Sequence, residues 1–106
     1  MDTILHIGHI AVPYGSADLT ANVTKYADGN IAVQLFDGFS PYATLSVNLP
    51  EDAHLLEDNE FFVKSWSENE PLVEPLLSTG IFEDTGKRAF AGHITASIWR
   101  LIEPTD

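Results

Sequence analysis

The dipeptide Asp28-Gly29, set between two runs of strand-forming residues, constrains this chain more than any other feature. Asp-Gly between alternating apolar residues is a strong short-range signal for a β-hairpin. Its register follows from which side chains must share a face, because a one-residue slip turns every side chain to the opposite side of the sheet. A two-residue turn pairs Tyr26 with Ile31 and Val23 with Gln34, mixing polar and apolar residues on each face. A three-residue loop, Ala27-Asp28-Gly29, puts Gly29 in a left-handed bulge position and pairs Lys25 with Ile31, Val23 with Val33 and Ala21 with Leu35. The second register gathers the apolar residues and is the one expected. Downstream, Tyr42 to Asn48 alternates, with Ala43, Leu45 and Val47 on one side and Tyr42, Thr44, Ser46 and Asn48 on the other. Leu19 to Asn48 therefore reads as a three-stranded antiparallel meander with one wet face, ended by Pro50.

Around this meander the pattern is less regular. Thr3 to Val12 reads as a strand interrupted by Gly8, which signals a bulge or an edge. Pro13-Tyr14-Gly15-Ser16 is a turn cluster, and Phe61 to Trp66 a short strand. Ser67-Glu68-Asn69-Glu70 matches a capping box, followed at helical spacing by Leu72, Val73, Leu76 and Leu77, with Gly80 as the stop. Pro75 removes a backbone donor, so this helix is expected to be short, kinked or started later. Thr85-Gly86-Lys87-Arg88 reads as a turn before one long final strand, Phe90 to Ile102. Its face of Phe90, Ile94, Ala96, Ile98 and Ile102 opposes His93, Thr95, Ser97 and Trp99. The expected fold is α+β: one domain over residues 1–106, with about five antiparallel strands including the central meander, and one short helix. A chain of this length buries roughly two-thirds of the surface its unfolded form exposes, enough for a core without disulfides.

Charge separates this chain from an ordinary domain. Sixteen Asp and Glu face five Lys and Arg, a formal net charge of -11. Such a field repels phosphate backbones and anionic lipid, and it attracts basic protein surfaces. The excess is local. From Glu51 to Asp84 there are ten acids and a single base, Lys64, whereas the flanking thirds hold six acids and four bases. Glu68 and Glu70 have an additional explanation, since acids in a helix's first turn suit its dipole. The candidate partner-binding residues are Glu51, Asp52, Glu57, Asp58, Glu60, Glu68 and Glu70.

Aromatic side chains supply a second candidate. Phe39 and Tyr42 flank Pro41 in or beside a hairpin loop, where a large ring is available as an anchor. Phe61, Phe62 and Trp66 border the acidic stretch, and at least half of these, with Trp99, belong to a core.

Catalytic and metal signatures are sparse. The absence of Cys removes disulfides, thiolate zinc sites and thiol nucleophiles together, and fits a reducing compartment. His6 and His9 point to opposite faces of an extended strand unless the Gly8 bulge turns one of them. His54 among Glu51, Asp52, Glu57 and Asp58 matches no calcium-loop spacing. There is no nucleophile elbow, phosphate loop or dinucleotide fingerprint. No enzyme activity and no cofactor or metal are expected. No basic-then-apolar segment opens the chain and no apolar run reaches the roughly 20 residues of a membrane span, so a cytoplasmic protein is expected.

At Asn22-Val23-Thr24-Lys25-Tyr26-Ala27-Asp28-Gly29-Asn30-Ile31-Ala32-Val33-Gln34-Leu35 the chain resembles a family of small acidic proteins of unknown function from phages, plasmids and conjugative elements. The resemblance continues through Tyr42 to Pro50, Phe62-Val63-Lys64, Ser67-Glu68-Asn69-Glu70 and Thr85-Gly86. It implies a genomic setting rather than catalytic residues. Small acidic proteins on mobile elements are often counter-defence proteins, including inhibitors of CRISPR effector complexes. The expectation is an anti-defence inhibitor, monomeric or homodimeric, that binds a basic host protein or CRISPR effector subunit in a bacterial host cell. Neither nucleic acid nor membrane is an expected direct partner. The competing reading is a small structural or regulatory module, dimeric through an exposed sheet edge, with acidity serving solubility only.

Overall fold

A computed structural model describes residues 3–13 and 15–102 of the chain. Tyr14, placed by the sequence in the turn after the first strand, lies outside the described residues. The described residues form seven strands in two antiparallel sheets, with one short α-helix. In the first sheet β1 (Thr3–Val12), β2 (Gly15–Lys25), β3 (Ile31–Asp37) and β4 (Ser40–Thr44) lie side by side in chain order. The second contains β5 (Glu60–Val63), β6 (Phe82–Ala91) and β7 (Ile94–Leu101), with β7 in the centre. Between β5 and β6 lies α1 (Val73–Leu77), and 3-10 turns occupy Pro50–Leu55 and Ser67–Leu72.

The register expected for the β2–β3 hairpin is the one observed: Lys25 opposes Ile31, Val23 opposes Val33 and Ala21 opposes Leu35. Gly29 has φ +91°, a backbone region that side chains with a Cβ rarely enter. The turn is fastened to the segment after β4. Asp28 accepts hydrogen bonds from the Asn30 N–H (3.1 Å) and from the Asn48 amide (3.1 Å), and the Asn30 amide donates to Asn48 Oδ1 (3.0 Å). Gly8 does mark a bulge, since the β1–β2 register shifts between His6 and Gly8.

Four expectations are corrected. The strand expected over Tyr42–Asn48 ends at Thr44. The Val33 carbonyl accepts from the N–H of both Leu45 (3.0 Å) and Ser46 (3.2 Å), and this bulge turns the chain out of the first sheet. It then runs along β5: Ser46 bridges Val63, and the Val47 N–H donates to Phe62 (3.0 Å). Leu45 and Ser46 are both buried, because the chain passes from the first sheet to the second at this point. The buried Ser46 hydroxyl accepts from the Val33 N–H (2.9 Å) and lies 2.8 Å from the Tyr26 hydroxyl, so its polarity is satisfied.

The capping box does not form. An N-cap needs extended backbone, but Ser67 has φ +60°, and Trp66 takes the cap position without a side-chain cap hydrogen bond. The α-helix starts later, at Val73. Pro75 is then its third residue, where backbone N–H groups have no intrahelical acceptor, so proline forfeits nothing.

Thr85–Arg88 is not a turn but a bulge inside β6, whose pairing with β7 shifts between Asp84 and Arg88. The long final strand is instead two strands that reverse between the paired residues Ala91 and Ile94, where Gly92 has φ +62°. This split, with the four-strand first sheet, raises the strand count above the expected five. Phe90 is consequently 74% exposed, while Trp99, expected opposite the apolar face, is 1% exposed. Both faces of β7 are covered. On one side Trp99, Phe82 and Phe61 join Leu19, Val33 and Leu35 of the first sheet and Leu72 and Leu76 of the helical segment. On the other, Ala96 and Ile98 pack with Phe62 and Ala89 beneath Leu49, Leu55, Leu56 and Trp66. Each large apolar side chain so buried contributes about 1.5–3 kcal/mol.

Candidate partner-binding surface

The second, smaller cluster explains how the acidic residues are displayed. Leu49, Leu55 and Leu56 anchor the first 3-10 turn on the outer face of the second sheet, and Trp66, just before the other 3-10 turn, packs on the same cluster. The leucines point in, and the charged residues between them face water. Glu51, Glu57 and Asp58 are exposed and Asp52 is half-buried. Glu68 and Glu70 are exposed on the second 3-10 turn. Asn69 between them is buried, its amide donating to the Thr44 carbonyl (2.8 Å) and the Lys64 carbonyl (2.9 Å).

Glu60 does not belong to this surface. It is 4% exposed, and its carboxylate accepts from Lys87 Nζ (2.6 Å) and from the Glu57 N–H (3.0 Å). Burial alone raises a carboxyl pKa. Here the Lys87 hydrogen bond, the Glu57 N–H and the charges of Lys87 and Arg100 outweigh it, and the group titrates below its ordinary range. Lys87 is raised in turn, first by its hydrogen bond to Glu60. Lys87 also donates to the Leu55 carbonyl (2.9 Å) and reaches Glu57 (3.4 Å), which fastens β6 to the acidic turn.

Four of the five bases are engaged with acids. Lys64 pairs with Glu68 (2.6 Å), Lys87 with Glu60 and Glu57, Arg88 with Asp84 (3.1 Å), and Arg100 with Glu83. The fifth, Lys25, lines a groove between the β2–β3 turn and the acidic segment, opposite Glu57 and Asp58. Among the described residues, no base pairs with Glu51, Asp52, Asp58 or Glu70. Apart from Lys25 across the groove, no Lys or Arg among the described residues offsets the negative charge of these four carboxylates.

The hydrogen bond from Lys64, helped by backbone and Ser67 donors, holds the Glu68 carboxyl at about 2, against an ordinary 4.5. A lowered folded-state pKa contributes stability that is complete above 4.5 and is lost as pH falls through 2. The difference in urea midpoint between the native chain and Glu68→Gln is therefore expected to be constant at neutral pH and to vanish between about pH 4.5 and pH 2. Taking the difference removes the opposing effect of protonating the unpaired acids.

The aromatic candidates lie elsewhere. Phe39 is fully exposed in the β3–β4 turn, grouped with Ile4 and Phe36, and Tyr42 is 38% exposed on β4. The acidic groove adjoins Ile31 at the start of β3, and Phe39 follows its end at Asp37, a strand length of roughly 20 Å away. The acidic and aromatic candidates thus lie in two separate places. Phe61, Phe62 and Trp99 are core, and Trp66 is half-buried.

His6 and His9 would point to opposite faces of a regular strand, but the Gly8 bulge, the exception the sequence allows for, puts both on the outer face, opposite Thr20 and Asp18. His6 Nε2 lies 4.0 Å from Asp18 and His9 Nε2 lies 2.7 Å from Ser16 Oγ. Among the described residues no group of three His, Cys, Asp or Glu is placed to hold a metal ion, and no helix is long and apolar enough to cross a membrane. No protein-family model matches the chain, and no curated protein or solved structure matches it.

Proposed function

We propose that this chain is a non-enzymatic binding protein that docks its acidic surface on a basic host protein surface, one that otherwise holds DNA or RNA, and thereby inhibits a bacterial defence complex of the CRISPR type in the cytoplasm. The observation that carries the reading is the pairing pattern. Four bases are used up on Glu57, Glu60, Glu68, Glu83 and Asp84, and among the described residues Glu51, Asp52, Asp58 and Glu70 form no ion pair with a base. Uncompensated carboxylates raise association rates with a basic partner and give binding a steep salt dependence. The resemblance to small acidic proteins of mobile elements supplies the defence setting.

Reversing charge in Glu51→Lys/Glu57→Lys/Asp58→Lys is expected to weaken binding to a purified CRISPR effector complex by at least about tenfold at 0.1 M salt, and to flatten its salt dependence. Unchanged affinity and slope would remove the acidic surface from the function. The outer position of β1, which among the described residues pairs with β2 alone, favours a second reading, a homodimeric module whose charge serves solubility. It requires a two-chain mass by light scattering that is indifferent to salt.

A further inference from the structure

The two sheets have four outer strands, and three of them are closed to further pairing. β4 is five residues long, contains Pro41 and is bulged against β3. β5 is flanked by residues 45–47. β6 is interrupted by its own bulge and carries Glu83, Asp84, Lys87 and Arg88. Proline, charge, bulges and covering segments are how proteins blunt strand edges. β1 is different. Its ten residues hold no Lys, Arg, Asp, Glu or Pro, and among the described residues β2 is its one strand neighbour. The bulge before Gly8 breaks only its first half, and Gly8 to Val12 runs in unbroken register with Leu19 to Gly15.

A groove of about 590 Å3 lies along this stretch, between β1 and the end of α1. Its β1 wall is made by Ile7 and Ile10, which face the core, and by His9 and Ala11, which face the other way. Residues from both faces line one groove only where it follows the strand's edge. The opposite wall is Glu74, Pro75, Ser78 and Thr79. Glu74 is exposed, forms no ion pair among the described residues, and shares the groove with no Lys or Arg.

We propose that Gly8–Val12 accepts an extended, lysine- or arginine-bearing segment of a partner protein as an added strand, lying in the groove between β1 and α1. The backbone edge supplies the hydrogen bonds, Ala11 and Pro75 supply apolar contact, and Glu74 selects the basic side chains. A second copy of this chain would meet the same edge with its own net charge of -11, which opposes that occupant. The inference rests on the reading of the chain as a binder of basic protein and assigns it a second contact, away from the acidic turns.

The test uses the full chain and acetyl-(Lys-Val)4-amide, with the same peptide N-methylated at every valine and acetyl-(Glu-Val)4-amide as controls. Amide hydrogen exchange at residues 8–12 is expected to slow with the lysine peptide and with neither control. Glu74→Lys is expected to weaken binding about tenfold at 0.15 M salt, more than Glu51→Lys/Glu57→Lys/Asp58→Lys does. The proposal is overturned if the N-methylated peptide binds as tightly, since charge alone then suffices. It is overturned equally if millimolar lysine peptide leaves residues 8–12 unprotected, or if these amides are protected without peptide in a species of two-chain mass. Failure here with an intact effect of the acidic-turn variant on effector binding sinks the edge inference alone. Success here with no such effect sinks the acidic-surface reading alone.

Discussion

Trp99→Ala is expected to cost about 3–5 kcal/mol and to lower the Tm by on the order of 15 °C or more. Trp99 is 1% exposed, at the centre of the second sheet, with its ring 5.8 Å from that of Phe82, which in turn meets Phe61 at 6.0 Å. Its cluster also holds Leu19, Val33 and Leu35 from the first sheet, so the cavity opens between the sheets where neither can collapse onto it. With total stability for a domain of this size of about 5–15 kcal/mol, one truncation removes a large share. The control is Phe90→Ala. Phe90 is 74% exposed, and its loss is expected to stay within about 0.5 kcal/mol. Guanidinium unfolding of the two variants checks the split of the C-terminal segment into two strands. A costly Phe90→Ala with a cheap Trp99→Ala would restore the single long strand with Phe90 facing in.

The second large effect is expected at Asn69, which is 1% exposed. Its amide spans from the Thr44 carbonyl, at the end of β4, to the Lys64 carbonyl, just past β5, and so joins the two sheets through one side chain. Asn69→Leu keeps the volume and removes both donors. Each carbonyl left without a partner costs about 1–3 kcal/mol, removal of the buried, unbonded Asn69 Oδ1 offsets part of this, and a total loss of about 2–3 kcal/mol is expected. Asn69→Ala is expected to cost at least as much, since it adds a small void. Neither change touches Glu68 or Glu70. A stability loss without altered affinity at saturating fold would mark Asn69 as a clamp rather than a contact.

Local signals carried the parts of the fold that are local. Asp28-Gly29, with alternation on both sides, fixed the β2–β3 register to the residue, and Gly8 announced its bulge. Errors arose where a local signal has a second physical use. Thr85-Gly86 looks like a turn but forms a bulge within a strand, with Gly86 at φ +85°, while Gly92-His93, which lacks the Asn-Gly or Asp-Gly signature, makes the reversal. Ser67-Glu68-Asn69-Glu70 has the letters of a capping box, yet burial of Asn69 between two carbonyls holds the segment in a 3-10 turn. The candidate surface was legible as a charge imbalance, because counting needs no coordinates. What counting misses is pairing. Nothing near Glu60 in sequence separates it from Glu57 or Asp58, since the lysine that buries it is 27 positions away. Likewise, Phe39 and Glu57 look like one site in a list of residues and lie at opposite ends of β3 in space.

The most direct measurement of the central claim is a competition. A purified CRISPR effector complex is titrated with labelled target DNA at increasing concentrations of this protein, at 0.1 M and 0.3 M salt. Occupation of a nucleic-acid-binding surface predicts that DNA affinity falls in proportion to added protein, that the inhibition weakens at the higher salt, and that Glu51→Lys/Glu57→Lys/Asp58→Lys loses most of it. Undiminished DNA binding at saturating protein, or inhibition that the triple variant retains in full, would contradict the account.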